Sequence, residues 1–103
     1  MEEILEKYKQ LRDEAKVEHA WGAEHVAYAQ VCQAFEAGNP IEDLERWIQQ
    51  TQERIMKFEA MQEEGKLVKM DSEQPGGRPG ILRYEDRKLE IFQLTHREAQ
   101  NRE

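Results

Sequence analysis

The chain has 103 residues, a net charge of −7 at pH 7 and a mean hydropathy of −0.99. This length provides for one domain. Leu, Ile, Val and Phe together number 20, so a monomer would have a thin core and we expect self-association to supplement it. A single cysteine, Cys32, excludes an internal disulfide and a cysteine-based zinc cluster.

The sequence also bears on the compartment. It contains no apolar run of about 18 residues, which is the length that a membrane-spanning helix needs. The opening Met-Glu-Glu-Ile lacks the basic and apolar regions of a signal peptide. We therefore expect a cytoplasmic protein that has no contact with membranes.

A long amphipathic helix is predicted over residues 2–37, because apolar residues recur three and four positions apart, the period of one helix face. Gly22 lies inside this helix, where glycine costs about 1 kcal/mol relative to alanine. Either close packing of a partner helix or a kink would explain it, and we favour close packing. The stripe comprises Ile4, Tyr8, Leu11, Ala15, Gly22, His25, Ala29 and Cys32, and it is widened by Leu5, Trp21, Tyr28, Val31 and Phe35.

A tight turn is predicted directly after this helix. Gly38 suits the left-handed conformation that closes a helix, and the side chain of Asn39 can cap the next one. Pro40 fits the first helical position, and Glu42 completes a capping-box spacing with Asn39. So short a connection makes the two helices antiparallel neighbours, and residues 1–64 become an acidic helical hairpin.

The second helix, predicted over residues 40–64, has apolar residues at alternating steps of three and four, as in a coiled coil. Thr51 lies within this seam, where a polar residue can set the register. The seam comprises Ile41, Leu44, Ile48, Thr51, Ile55 and Phe58.

Residues 65–83 differ in character. Their Pro- and Gly-rich part, residues 74–80, predicts a loop, and it lacks the Gly-Lys-Ser/Thr ending of a phosphate-binding loop. The apolar patches on either side, 66–70 and 81–84, either pair as a small β-hairpin or lie extended over the helices. The C-terminal segment, residues 84–103, is predicted to form a third amphipathic helix.

Helix lengths raise the question of what covers the start of the first helix. At 1.5 Å per residue, the second helix ends opposite about residue 12 of the first. We therefore predict an all-α fold, an antiparallel helical hairpin plus a C-terminal helix, in which two hairpins associate as a four-helix-bundle homodimer. A three-helix monomer is the alternative. The predicted dimer interface contains Ile4, Tyr8, Leu11, Ile48 and Ile55.

Charge is distributed unevenly. Residues 1–64 carry 15 acidic and 7 basic side chains, whereas residues 78–103 carry 6 basic and 5 acidic ones. The hairpin repels phosphates, so we expect no direct binding of nucleic acid. Because Arg and aromatic side chains dominate binding energy at interfaces, we expect a partner-binding surface near the loop. Its candidate residues are Arg78, Arg83, Tyr84, Arg87 and Trp47.

Candidates for chemistry are few. Glu18-His19 and Glu24-His25 are adjacent pairs, whose side chains diverge by about 100°, whereas di-metal bundles place Glu and His three residues apart on one helix. No catalytic motif is present, so the sequence predicts neither an enzyme nor a metal or cofactor site.

The leading functional hypothesis is a non-enzymatic protein–protein interaction module or adaptor that self-associates through its hairpin. One alternative is an acidic inhibitor that blocks a basic nucleic-acid site on a partner. Another is a small metal- or ligand-binding bundle that uses Glu18, His19 and His25. Phage accessory proteins, assembly chaperones and defence-system inhibitors share this architecture, which is an analogy of shape alone.

Overall fold

The computed structural model describes residues 2–20, 22–65 and 80–101, which form four α-helices. No strand occurs within these ranges, which confirms the all-helical prediction, although the number of helices differs. In chain order the helices are α1 (Glu2–His19), α2 (Ala23–Ala37), α3 (Pro40–Glu63) and α4 (Gly80–Asn101).

Consecutive helices run in opposite directions. Towards the start of α3, Glu45 lies beside His96 near the end of α4, and further along α3, Arg54 lies beside Glu85 in the first half of α4. α2 contacts the three other helices and therefore lies at the centre of the arrangement. None of the helices in the described ranges combines the length and the apolar character that crossing a bilayer requires.

The continuous helix predicted over residues 2–37 is wrong, because the chain turns between α1 and α2. Gly22 has φ −73° and ψ 160°, which is extended backbone, and its N–H donates to the carbonyl of His19 at 2.9 Å. Gly22 thus marks a break and not a close-packed helical position. The turn lets α1 fold onto α2, so the two halves of the apolar stripe bury each other, and this burial outweighs helix propensity.

One apolar core joins the four helices. Small side chains such as Ala27 and Ala34, both almost fully buried, let the helices approach closely. The buried members of the core cluster are Ile4, Tyr8, Ala27, Val31, Cys32, Leu44, Ile91 and Phe92.

The turn between α2 and α3 has the predicted backbone but not the predicted cap. Gly38 adopts the left-handed conformation with φ 93°, and its N–H donates to the carbonyl of Phe35 at 3.3 Å. Asn39 makes no side-chain cap hydrogen bond, so the capping-box prediction is wrong. Its backbone carbonyl accepts from the N–H of Asp43 at 3.1 Å, so Asn39 contributes to the start of α3 through its backbone.

α4 begins earlier than predicted. Ile81, Leu82 and Arg83 are helical, so a strand or extended segment over these residues is wrong. Leu82 is fully buried, and this burial extends the apolar side of α4 back towards Gly80. The predicted patch at 66–70 and most of the predicted loop, up to residue 79, lie outside the described residues.

Candidate functional site

The five residues predicted at a dimer interface contribute to the core of this chain. Ile4 and Tyr8 have exposed fractions of 2% and 4%, and Ile55 of 8%. Leu11 and Ile48 are half-buried and pack against the same core. The helix-length argument, which left the start of α1 without a partner inside a two-helix hairpin, is therefore wrong, since α1 folds back onto α2. Self-association itself stays a prediction.

Of the predicted partner-binding residues, the structure describes Arg83, Tyr84 and Arg87 on α4 and Trp47 on α3. Arg83 is exposed and Tyr84 is half-buried on α4, while Arg78 lies outside the described residues. The ring of Trp47 on α3 packs against the ring of Phe92, with centroids 5.8 Å apart. Phe92 lies about 12 Å along α4 from Tyr84, so Trp47 contributes to the core at a distance from the start of α4.

Two basic side chains of α4, those of Arg87 and Lys88, lie beside carboxylates within the chain. The guanidinium of Arg87 lies 3.5 Å from Glu24 and donates to Glu90 at 2.7 Å. The ammonium of Lys88 lies 2.9 Å from Glu85 and 4.7 Å from the ring centroid of Tyr84. These contacts offset the charges of Arg87 and Lys88, whereas Arg83 is exposed.

Glu85, which is buried, is the centre of an ionic cluster between α3 and α4, in which Arg54 is exposed and Lys88 is buried. Its carboxylate accepts from the Nε of Arg54 at 2.5 Å and lies 2.9 Å from the Nζ of Lys88. Arg54 also donates to Thr51 Oγ1 at 3.3 Å, and Thr51 is fully buried, as expected of a register-setting residue. Arg54 is the member of this cluster that joins α3 to α4, so its ion pair with the buried Glu85 favours one pairing of the two helices.

Sequence reasoning missed the burial of Glu85 and Lys88. A signal was available, because these positions continue the three-and-four spacing of Phe92, Thr95 and Ala99 on the buried side of α4. The charge of the two residues masked it.

A groove of about 180 Å³ lies between α1 and α4, above α2. We call it the α1–α4 groove. Apolar and aromatic side chains provide most of its lining, and charged side chains complete it. The lining residues are Lys7, Tyr8, Leu11, Tyr28, Arg87, Ile91, Leu94 and Glu98.

Hydrogen bonds order one end of this groove. The carboxylate of Glu98 accepts from Lys7 Nζ at 2.9 Å and from the Tyr8 hydroxyl at 3.1 Å. Burial, with a smaller contribution from the charge of Glu98, raises the pKa of Tyr8 to about 12. The hydroxyl therefore stays protonated at neutral pH and remains a donor.

The residues of the metal- or ligand-binding alternative lie near the turn between α1 and α2. Glu18 and His19 are exposed and line a second cavity of about 170 Å³. His25 donates from Nδ1 to the carbonyl of Ala20 at 2.6 Å, so one of its two ring nitrogens is committed to the turn. Within residues 2–20, 22–65 and 80–101, no group of three or more His, Cys, Asp or Glu side chains is placed to hold a metal ion.

Cys32 is buried in the core, with an exposed fraction of 1%. Burial raises the pKa of its thiol, which disfavours the thiolate that nucleophilic chemistry requires. This environment is that of a structural cysteine.

The described residues thus form four packed helices with a shallow, mainly apolar groove between α1 and α4. No protein-family model matches the chain, and neither a curated protein nor a solved structure is significantly similar to it.

Proposed function

We propose that the chain is a non-enzymatic protein–protein interaction module that receives an apolar side chain of a protein partner at the α1–α4 groove. The observation that supports this most is the position of Leu94. Its exposed fraction is 45%, although it borders a groove whose other apolar residues are buried or half-buried. An exposed leucine at the rim of a concave apolar surface is typical of an interaction site.

The size of the groove also favours an interaction over catalysis. Pockets for small-molecule substrates and cofactors usually measure about 300–1,000 Å³, whereas this groove has about 180 Å³. It has room for one large side chain. Full burial of a leucine-sized side chain contributes about 1.5–3 kcal/mol, which makes such a contact a suitable anchor for a modest interface.

The charged residues of the groove would orient the partner. Lys7 and Glu98 lie together at one end, and Arg87 lies towards the start of α4. Charges of both signs around an apolar centre provide specificity more than affinity. The partner we expect is therefore an amphipathic helix with one apolar anchor and charged neighbours.

Site-specific photocrosslinking tests this proposal. A photoreactive amino acid at position 94, introduced in the cells that express the protein, should crosslink one protein partner. The same amino acid at Val17 is a matched control, because Val17 is 88% exposed and does not line the groove. The purified partner should bind the Leu94→Glu variant at least tenfold more weakly than the Val17→Glu variant, and equal binding of the two would refute the groove as the site.

The acidic face of α3 favours a second candidate function, an inhibitor that occupies a basic nucleic-acid site on a partner. Glu42, Glu45, Glu53 and Glu63 are exposed along this helix, although the Glu45 carboxylate also lies 3.2 Å from His96. Such an inhibitor should compete with DNA or RNA for the partner, with an affinity that falls steeply as salt rises. An interaction centred on Leu94 should depend only weakly on salt.

A further inference from the structure

We infer that the partner at Leu94 is a second copy of this chain, whose α3 packs antiparallel along the outer side of α4. This inference rests on the proposed function and names its partner. Two exposed surfaces of the chain carry it, because they are complementary in apolar character and in charge. Neither surface overlaps the dimer interface that the sequence predicted.

The first surface, the α4 outer stripe, follows alternating steps of three and four residues. Leu94 lies at its centre and is exposed, and an arginine lies on each side of it. The stripe consists of Arg87, Glu90, Leu94, Arg97 and Asn101.

The second surface, the α3 outer stripe, follows the same steps in the opposite order. Met56 lies at its centre, and its exposed fraction of 69% makes it one of three exposed large apolar residues within the described ranges. A carboxylate lies on each side of it. The stripe consists of Gln49, Glu53, Met56, Ala60 and Glu63.

Antiparallel alignment matches the two stripes at each of their positions. When Leu94 faces Met56, Arg97 and Glu53 are each three residues away, about 4.5 Å along their helices. Arg87 and Glu63 are each seven residues away in the other direction, about 10.5 Å. Two pairs of opposite charge therefore flank one apolar contact.

The two remaining positions are also compatible. Glu90 faces Ala60, so its carboxylate meets no like charge, and Asn101 faces Gln49. A parallel alignment with the same apolar centre brings Glu90 towards Glu53 and places Arg87 opposite Gln49, which loses both ion pairs. Charge thus selects the antiparallel orientation, as e and g positions do in coiled coils.

Contacts within the chain rank the two ion pairs. Arg87 already pairs with Glu24 and Glu90, so a new pair with Glu63 would have to compete with them. Arg97 is exposed near the end of α4. We therefore expect Arg97 with Glu53 to be the pair whose reversal weakens association most.

Light scattering coupled to size exclusion, over a dilution series, provides the first test. With the α3 of each chain packed on the α4 of the other, the contact closes as a twofold dimer, so the wild-type chain should have twice its single-chain mass of 12.2 kDa and dissociate on dilution. Leu94→Glu and Met56→Glu should each raise the dissociation constant at least tenfold. Val17→Glu, which places the same charge at an exposed position outside both stripes, should leave it unchanged.

A charge reversal tests the orientation. Arg97→Glu and Glu53→Arg should each weaken association, and the double variant should recover most of it, because the ion pair between positions 97 and 53 is restored with reversed sign. A single-chain mass for the wild type at every concentration would overturn the inference, as would a double variant no better than the single ones. If the wild type is monomeric and position 94 crosslinks another protein, the proposed function stands and the inference falls.

Discussion

The two turns that flank α2 achieve the same reversal of the chain by different means. At the turn after α2, Gly38 adopts φ 93°, a conformation that favours glycine, and Pro40 begins the next helix. At the turn before α2, Gly22 has φ −73°, which any residue can adopt. The turn at Gly38 is encoded in the local backbone, whereas the turn at Gly22, the first in the chain, depends on the packing of α1 against the other helices.

This difference shows where the stability of each helix pair originates. α1 stays on α2 because Ile4 and Tyr8 are buried and because Glu98 of α4 accepts from Tyr8. The His25 hydrogen bond to Ala20 closes the turn locally, yet one hydrogen bond contributes only about 1 kcal/mol. Tertiary packing therefore dominates at the first turn and backbone conformation at the second.

Tyr8→Ala is expected to have the largest effect on stability among the variants that test this contrast. It removes a buried aromatic ring, so the free energy of unfolding should fall by about 3 kcal/mol, and α1 should detach before α3 and α4. Urea unfolding measures the loss, and hydrogen exchange shows whether protection is lost first in α1. Tyr84→Ala, at a half-buried ring, is the control and should cost less.

Gly38→Ala tests the locally encoded turn. A Cβ at this left-handed position costs about 1–2 kcal/mol, even though no atom lies within 4 Å of it. Thermal unfolding of this variant should show that loss with the native helix content retained. An unchanged melting temperature would mean that the turn does not require glycine.

Tyr8→Phe removes the hydroxyl and keeps the ring, so it measures the contribution of the hydroxyl to stability. Loss of the hydrogen bond to Glu98 should cost about 1 kcal/mol at pH 7. Because burial raises the Tyr8 pKa from 10.0 to about 12, its contribution to stability is fully present below pH 10 and is lost as the pH rises towards 12. Urea unfolding between pH 8 and pH 12 should show a smaller decline for Tyr8→Phe than for the wild type.

His25→Ala tests the local contribution at the first turn. Removal of the hydrogen bond to Ala20 should lower the free energy of unfolding by about 1 kcal/mol. His19→Ala is the control, since His19 is exposed and should change stability by less than about 0.5 kcal/mol. A loss of 3 kcal/mol for His25→Ala would show that this turn, too, is determined locally.

Asn39→Ala should have the smallest effect. N-cap asparagines usually contribute about 1 kcal/mol through a side-chain hydrogen bond, and Asn39 makes none. We expect a change below about 0.5 kcal/mol in chemical denaturation. A loss above 1 kcal/mol would mean that the side chain caps α3 in solution.

Sequence reasoning located the turn at Gly38 because glycine, asparagine and proline there have strong conformational preferences. It missed the turn at Gly22 because the surrounding alanines favour helix, and only the burial of Ile4 and Tyr8 against α2 opposes them. That burial depends on residues distant in sequence, which helical periodicity does not reveal.

The candidate site was predictable only in part. Arg83 and Tyr84 were expected at a partner-binding surface because arginine and aromatic residues are common in interfaces. Residue type alone does not reveal which side chains contact others within the chain. The α1–α4 groove exists only because α1 folds back, so a continuous first helix left no means of finding it. The pairing of Arg87 with Glu24 depends on the same fold.

The fold-back of α1 is the central claim, since it covers the start of the chain and creates the groove. A nuclear Overhauser cross-peak between the rings of Tyr8 and Tyr28, recorded on labelled chains diluted in an excess of unlabelled ones, tests it within one chain. The folded-back arrangement predicts a cross-peak, because the ring centroids lie 5.8 Å apart. A continuous helix would separate these residues by about 30 Å, and the absence of the cross-peak in the folded protein would contradict the account.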